Sequence, residues 1–437
     1  MTKMNKLSRR RFGQLAGASA IAIAAPYVKH SAANPVEIIH WSPLTASDGE
    51  VWAKMVQNFN DAHKDKGVQI KMDVIPWDEY PTKVLAAAAT GNAPHFGWGD
   101  AGARAQFAKD GVIVPLDDLA KSAGLDLADF SEFSLNNSKY SKYADGLMMV
   151  PMDMMCLQPE VNVDHVKEAG LNPDNFPKDG DTLIEWAKAM TKMEGDKVAR
   201  SGIMMTGSGV QPTVTWGIVA EQMGFRRVSD DLKTAALNPD AGKAAMQWVL
   251  DLFDKHKVST REVTDRYKAF GSGQGSIFWT GPWTLAGYVE QKLPFRTFDF
   301  PKVGKDLITY FEMGGLEVYV QPDESKYGPA MDAVKWLSDN SFLWCTVGRG
   351  VTPRNSILNH PEYKTTGYSW DIRGPFVDGM SYATAAPIGI LAGPDFQIYS
   401  GGNFLAKTLE LVWAGQSTID EAMTKLQEGW QQMLDQG

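Results

Sequence analysis

Residues 36–59 read VEIIHWSPLTASDGEVWAKMVQNF, and residues 68–98 read VQIKMDVIPWDEYPTKVLAAAATGNAPHFGW. Val36 to Trp41 is a short apolar run of strand length. Ser42 to Gly49 is polar and carries the breakers Pro43 and Gly49. Val51, Met55, Val56 and Phe59 then recur at helical spacing. Val68 to Ile75 alternates and stops at Pro76, and Tyr80 to Ala89 is alanine-rich and ends at the helix stop Gly91-Asn92. A strand near His95–Trp98, a helix to Lys109 and the apolar Val112-Ile113-Val114 follow. This β-loop-α rhythm predicts a parallel sheet with helices on both faces. Ligands of such sheets bind beyond the C-terminal strand ends, here the loops Ser42–Gly49, Trp77–Glu79 and Trp98–Gly102.

Further along, a strand is expected over Gly146–Met152, and Pro151 marks it as a crossing segment rather than a central strand. Asp164 to Val198 has a helical pattern, and Gly202–Met205 that of a strand. Helices are expected over Thr215–Met223 and Ala241–His256, a strand over Ser276–Trp279, and Gly281-Pro282-Trp283 opens the next helix. Gly314-Gly315 precedes a further strand, Ala330 to Val347 is helical, and helices over Phe404–Trp413 and Thr418–Leu434 close the chain.

The chain has 437 residues and a net charge of −9, with 44% hydrophobic and 22% charged residues. That is enough apolar material for sizeable cores, and the acidic balance argues against nucleic acid and anionic membrane surfaces. Two cysteines, Cys156 and Cys345, cannot make a disulfide framework or a cysteine-based zinc site. The N-terminus reads as an export signal. Lys3, Lys6 and Ser8-Arg9-Arg10-Arg11-Phe12 precede a modest apolar stretch from Leu15 to Ala25, and Ser31-Ala32-Ala33 supplies small residues for cleavage. The apolar run is shorter than the about 20 residues that a ~30 Å hydrocarbon core requires. The paired arginines resemble a twin-arginine signal. Residues 1–33 hold no acid, so the exported remainder is more acidic than the whole chain.

No pair among the seven histidines has metal-ligand spacing, and no metal or cofactor is expected. Gly271-Ser272-Gly273-Gln274-Gly275 lacks both the dinucleotide spacing and the Lys-Ser/Thr of a phosphate loop. No GxSxG elbow occurs, and adjacent acids such as Asp117-Asp118 and Asp230-Asp231 point apart, so no acid–nucleophile pair is singled out. What remains is an excess of Trp, fourteen in all. Trp41, Trp77, Trp98, Trp216, Trp279 and Trp283 fall at strand ends or helix starts, whereas Trp52, Trp186, Trp248, Trp336 and Trp430 sit in helical stripes and read as core. Aromatic planes with polar neighbours are what a protein sets against the faces and hydroxyls of a sugar.

Several segments, in this order, resemble the family 1 extracellular solute-binding proteins, the sugar-capturing components of ABC importers. They are His40-Trp41-Ser42, Ile75-Pro76-Trp77-Asp78-Glu79-Tyr80, Thr90-Gly91-Asn92-Ala93-Pro94, Asp145-Gly146 with Val150-Pro151, Pro212-Thr213-Val214-Thr215-Trp216, Gly281-Pro282-Trp283 and Thr418-Ile419-Asp420-Glu421-Ala422. The resemblance implies an α/β, two-lobed periplasmic-binding-protein fold, each lobe a mainly parallel sheet flanked by helices. One lobe is then 36–149 with 316–350, the other 152–312 with 353–437, and hinge strands cross near Leu147–Met152, Ile308–Gly315 and Gly350–Pro353.

It also implies a site. Trp283 matches a sugar-stacking aromatic, with Trp279 just before it. Gln211 and Thr213 stand where maltose binders carry a carboxylate and a tyrosine, which implies a different, smaller sugar. Trp41 and Ser42 follow the first strand, Asp100 the third, and Asn403 precedes the Phe404 helix. Asp153 matches the first acid of a Pro-x-Asp-x-Asp pattern after the hinge, where it would accept hydroxyl hydrogen bonds, while Met155 replaces the second. Gly315 at a crossing and Arg354 complete the candidates. Arg349, Arg354 and Arg373 could reach an acidic sugar, against the ordinary alternatives of salt bridges and helix ends. The function implied is an exported, periplasmic, monomeric receptor that delivers a carbohydrate to ABC permease subunits. The alternatives are a secreted carbohydrate-active enzyme and a receptor for a polyol, a phosphodiester or an acidic sugar.

Overall fold

The computed structural model describes residues 36–77, 79–99, 103–139, 143–385 and 404–436. The export signal lies outside them. Thirteen strands among these residues form two principal sheets and one small pair.

The first sheet is built on β1 (Val36–Ser42), β2 (Val68–Val74) and β3 (Phe96–Trp98). β1 lies parallel to both neighbours, pairing Val36 with Val68 and His40 with Phe96. The intervening helices run Ser47–His63 and Tyr80–Ala89, and the first buries Trp52, Met55, Val56 and Phe59 on one face. The helix-period and strand-period patterns thus form as their spacing dictates.

β4 (Val150–Cys156) continues through Leu157 into β5 (Gln158–Asn162). β5 belongs to the second sheet, with β6 (Lys192–Glu194), β7 (Lys197–Ile203), β10 (Gly275–Thr280) and β11 (Phe295–Thr297), in the order β11-β5-β10-β7-β6. β8 (Arg226–Val228) and β9 (Ala235–Leu237) form the small pair. In the second sheet only β10 and β7 run parallel. It is mixed, not mainly parallel, because the direction of β5 is set by the crossing from β4 instead of by a strand–helix–strand unit.

β12 (Thr309–Val318) runs antiparallel to β4 and to β3, and β13 (Ala383–Ala385) pairs at its start. Along β4 and β12 the core changes identity. Val150, Met152, Leu316 and Val318 pack with the first sheet. Met154, Cys156, Phe311 and Met313 form a middle cluster, and Leu157 and Tyr310 join the core of the second sheet. The two strands therefore form a ribbon between two lobes, with Val351 bridging to Met154. The register slips at Gly314/Gly315, opposite Pro151. Proline has no ladder N–H, and the bulge accommodates it. The glycine pair thus lies inside β12 and not ahead of it. At Gly315 a Cβ would lie 2.5 Å from the Val150 carbonyl oxygen and 2.6 Å from Met149 Cγ, so only glycine fits beside the bulge. Beyond Pro353, Ile357 and Tyr363 still pack in the first core.

The segment from Asp164 to Val198 is not one helix. It breaks into helices Val163–Glu168 and Gly180–Met190, followed by β6 and β7. Pro173 and Pro177 interrupt it, and Asp179 restarts it by accepting a hydrogen bond from the Thr182 N–H at 2.9 Å. Both cysteines are free and buried. No helix among the described residues is long and apolar enough to cross a membrane.

Candidate ligand-binding site

The parallel strands β7 and β10 end side by side, and the chain leaves each into a helix: Val210–Gln222 after β7, and Leu285–Glu290 after β10. A recess, open at its mouth, lies at these ends. This is where an α/β sheet exposes loop backbone and helix starts to a ligand. One wall is Val210, Val214 and Ile218, on a helix buried at nearly every position. The other is Trp279, Thr280 and Trp283, and Arg266 also lines it.

Each wall is held rigidly. Gln211 staples the loop behind the helix, its Nε2 donating to Met204 O at 2.6 Å and its Oε1 accepting from Thr206 N–H at 3.1 Å. The Trp279 indole stacks on Trp248 at 6.0 Å between centroids and tilts against Phe300 at 4.4 Å. Gly281 is extended, so its dihedrals do not require glycine; its missing Cβ does, because the Trp283 ring folds into that space. Trp283 Nε1 donates to Tyr267 Oη at 3.1 Å, and Arg266 Nη2 donates to the same oxygen at 2.9 Å. Beneath the turn, buried Glu160 accepts from Thr284 Oγ1 at 2.6 Å. Burial pushes its carboxyl up to about 8 against that hydrogen bond, so it is chiefly protonated at neutral pH. The first lobe reaches the same turn: Gly287 N–H donates to Ser47 Oγ at 2.9 Å, where the Ser47–His63 helix begins.

Of the expected site residues, Gln211, Trp279 and Trp283 come together here. Gln211 contributes shape, its amide being engaged by backbone. Thr213 faces the core and donates to Gly209 O. Trp41 and Ser42 end β1 away from the recess. Tyr80 Oη donates to Trp41 O at 3.2 Å, and buried Ser42 Oγ accepts from Leu44 N–H at 3.4 Å. Asp100 and Asn403 lie outside the described residues.

Three expectations are corrected. Asp153 is not a free acceptor on the cleft floor: it is fully buried, Oδ1 accepts from Gly314 N–H at 3.0 Å and Oδ2 from Trp344 Nε1 at 2.8 Å. Arg354 is engaged at 2.8 Å by Asp129, at 3.0 Å by Asp339 and at 2.9 Å by Ser338 Oγ, which leaves it no reach toward a ligand. Trp98 and Trp216 are core plugs, 1% and 0% exposed. Arg349 pairs with buried Asp48 at 2.8 Å, and Arg373 donates to the carbonyls of Tyr363, Thr366, Tyr368 and Cys345. Arg266 and Thr280 escaped the sequence reading, although each stands one residue from a Tyr or Trp in the segment that leads to Gly281-Pro282-Trp283.

A family model described as bacterial extracellular solute-binding protein matches residues 54–367, well over half of the chain. The chain belongs to this family. A curated relative, the sn-glycerol-3-phosphate-binding periplasmic protein UgpB of Agrobacterium fabrum, is 28% identical over 208 residues, 46% of this chain and 44% of that protein. The match thus spans less than half of the relative's length. Among solved structures, UgpB from Mycobacterium tuberculosis in complex with glycerophosphocholine superposes with a TM-score of 0.78 at 18% identity, covering 92% of this chain and 99% of that one. A solute-binding protein from Thermotoga lettingae bound with alpha-D-tagatose gives 0.77 at 18%, covering 91% and 100%. The maltose/maltodextrin-binding domain MalE from Bdellovibrio bacteriovorus, bound to maltotriose, gives 0.74 at 20%, covering 92% and 99%. At such identities the likeness fixes the fold, two α/β lobes, in this member of the solute-binding family.

Proposed function

We propose that this solute-binding protein is an exported receptor, directed by the twin-arginine-type signal in residues 1–33 to the periplasm. There, as a monomer, it captures a small hydroxylated solute of the carbohydrate class between its lobes and delivers it unchanged to ABC permease subunits. The observation that carries this is the aromatic wall of Trp279 and Trp283, held rigid at the C-terminal ends of β7 and β10 with hydrogen-bonding groups around it. A pre-positioned indole loses little freedom when a sugar face stacks on it. Capture without turnover is favoured over hydrolysis because no carboxylate lines the recess among the described residues, and glycoside hydrolysis takes two.

A solute can close the lobes only through differential affinity for the closed form, so both lobes must contact it. The Ser47–Gly287 hydrogen bond marks where the first lobe meets the Trp283 turn. A thermal-shift screen of sugars, polyols and acids tests the receptor reading. A ligand at 100 times its dissociation constant stabilises the native state by about 2.7 kcal/mol. A saturable shift, with a smaller radius of gyration by X-ray scattering on binding, is expected. Turnover of a glycan without stoichiometric retention would contradict it.

A further inference from the structure

We propose that the solute carries an oxyanion, a phosphate or a carboxylate, and that Arg266 holds it at the mouth of the recess. This rests on the receptor reading above and narrows its ligand.

The recess leaves several polar groups unengaged. Arg266 lines it, is half-buried, and forms no ion pair among the described residues. Its engagements among the described residues are with Tyr267: one N–H donates to the hydroxyl, and the guanidinium lies over the ring at 4.7 Å from the centroid. Guanidinium has five N–H donors and accepts nothing, so donors remain. Tyr267 Oη accepts from both Arg266 and Trp283, which leaves its own proton to be donated. Two further lining residues carry buried polar atoms without a partner, Trp279 Nε1, a donor only, and Thr280 Oγ1.

Carboxylates on the neighbouring elements are engaged elsewhere. Asp265 caps its own helix by accepting from Lys268 N–H at 3.0 Å, Glu410 accepts from Gly209 N–H at 2.8 Å, and Glu160 accepts from Thr284 through Oε1, while its buried Oε2 has no partner and, with the carboxyl chiefly protonated, offers no charge to Arg266. Among the described residues the lining therefore offers chiefly unengaged donors, on Arg266 and at Trp279 Nε1, with Thr280 Oγ1 able to donate or accept, and no carboxylate pairs with Arg266. A neutral sugar brings a donor with every hydroxyl and no charge, so its hydroxyl protons find few side-chain acceptors here and Arg266 stays uncompensated. A phosphate or carboxylate brings acceptors only, and charge-assisted hydrogen bonds to it are the stronger kind. The rest of the solute would lie against Trp279 and Trp283.

The test is isothermal titration of the full chain with matched pairs: glycerol against glycerol 3-phosphate for the phosphate source, and glucose against glucuronate for the carboxylate source. At least one anion is expected to bind more tightly than its neutral parent by about tenfold or more, and to weaken as salt rises. Arg266→Gln should weaken that binding by about tenfold or more, and Arg266→Lys by less, since lysine keeps the charge but loses the fork. Both variants should keep the wild-type melting temperature. Tighter or equal binding of the neutral parents, or anion affinity indifferent to Arg266→Gln, would overturn the inference and leave the receptor reading standing. Absence of saturable binding by all four compounds would overturn the inference, while the wider thermal-shift screen decides the receptor reading separately.

Discussion

Tryptophan, arginine and aromatic packing occur in two places in this molecule, with opposite outcomes. In the first lobe Trp52, Trp98 and Trp344 form an edge-to-face triangle with centroids 5.0–5.3 Å apart, and Arg349 lies over two of them. Most polar groups there answer one another: Trp52 Nε1 donates to His40 at 2.8 Å, Trp344 Nε1 to Asp153, and Arg349 to Asp48, whose Oδ1 has no partner among the described residues. In the second lobe Trp279 and Trp283 stand beside Arg266 with no carboxylate among the described residues of the recess lining, and with donors left over. The first arrangement is a closed core and the second lines an open recess. The count of aromatic residues does not separate them; the state of their polar neighbours does.

The largest effect that sharpens this contrast is Arg349→Met. It strands Asp48 and Asp153 in the interior, and breaking a buried pair costs about 3–5 kcal/mol. Chemical denaturation should show that loss, and a change below 1 kcal/mol (about the worth of a surface pair) would dissolve the distinction. Asp153→Asn comes next. Its amide can accept from only one of Gly314 N–H and Trp344 Nε1 through its oxygen, while its NH₂ opposes the other, at about 1–3 kcal/mol of stability. Solute affinity should change less than stability. Trp283→Ala should reverse that ratio, weakening solute binding by about 1–3 kcal/mol, fivefold or more, in a titration, with a smaller loss of melting temperature.

A subtler break is Gly281→Ala, whose Cβ collides with the Trp283 ring. Displacing the ring should lower affinity without touching any group that contacts the solute, and overpacking adds about 1–3 kcal/mol of destabilisation. A further effect is read as a pH slope, from Glu160. Its native carboxyl keeps its proton to about 8 and an unfolded one only to about 4.5, so the native state binds more protons between those values and stability falls as pH rises through that window. Glu160→Gln removes the titration. Its melting temperature should gain on wild type from pH 4.5 to pH 8, and parallel pH profiles would show that Glu160 titrates normally.

The strands and helices of the first lobe were legible because their signals are local. Tyr80 to Ala89 has a proline near its start and Gly91-Asn92 beyond its end, and the helix occupies that span. The break between Asp164 and Lys197 was not legible from periodicity, since it is set by prolines and by the Asp179 cap. Trp279 at a strand end and Trp283 just after Gly281-Pro282 stand out in the sequence by position, and both line the recess. Asp153 was misjudged because its partners are distant in sequence: Gly314 and Trp344 lie 161 and 191 residues away. Arg266 was invisible for the converse reason. What marks it is a missing counter-charge, and only packed neighbours disclose that.

The central claim is that solute binds on the Trp279–Trp283 wall and not in the first-lobe aromatic cluster. Hydrogen exchange with and without the solute that gives the largest thermal shift tests it most directly, because protection follows the contacts. The account predicts added protection in residues 204–215 and 279–287, with the amides around Trp52, Trp98 and Trp344 unchanged. Protection centred on that triangle, with residues 279–287 unaffected, would contradict it.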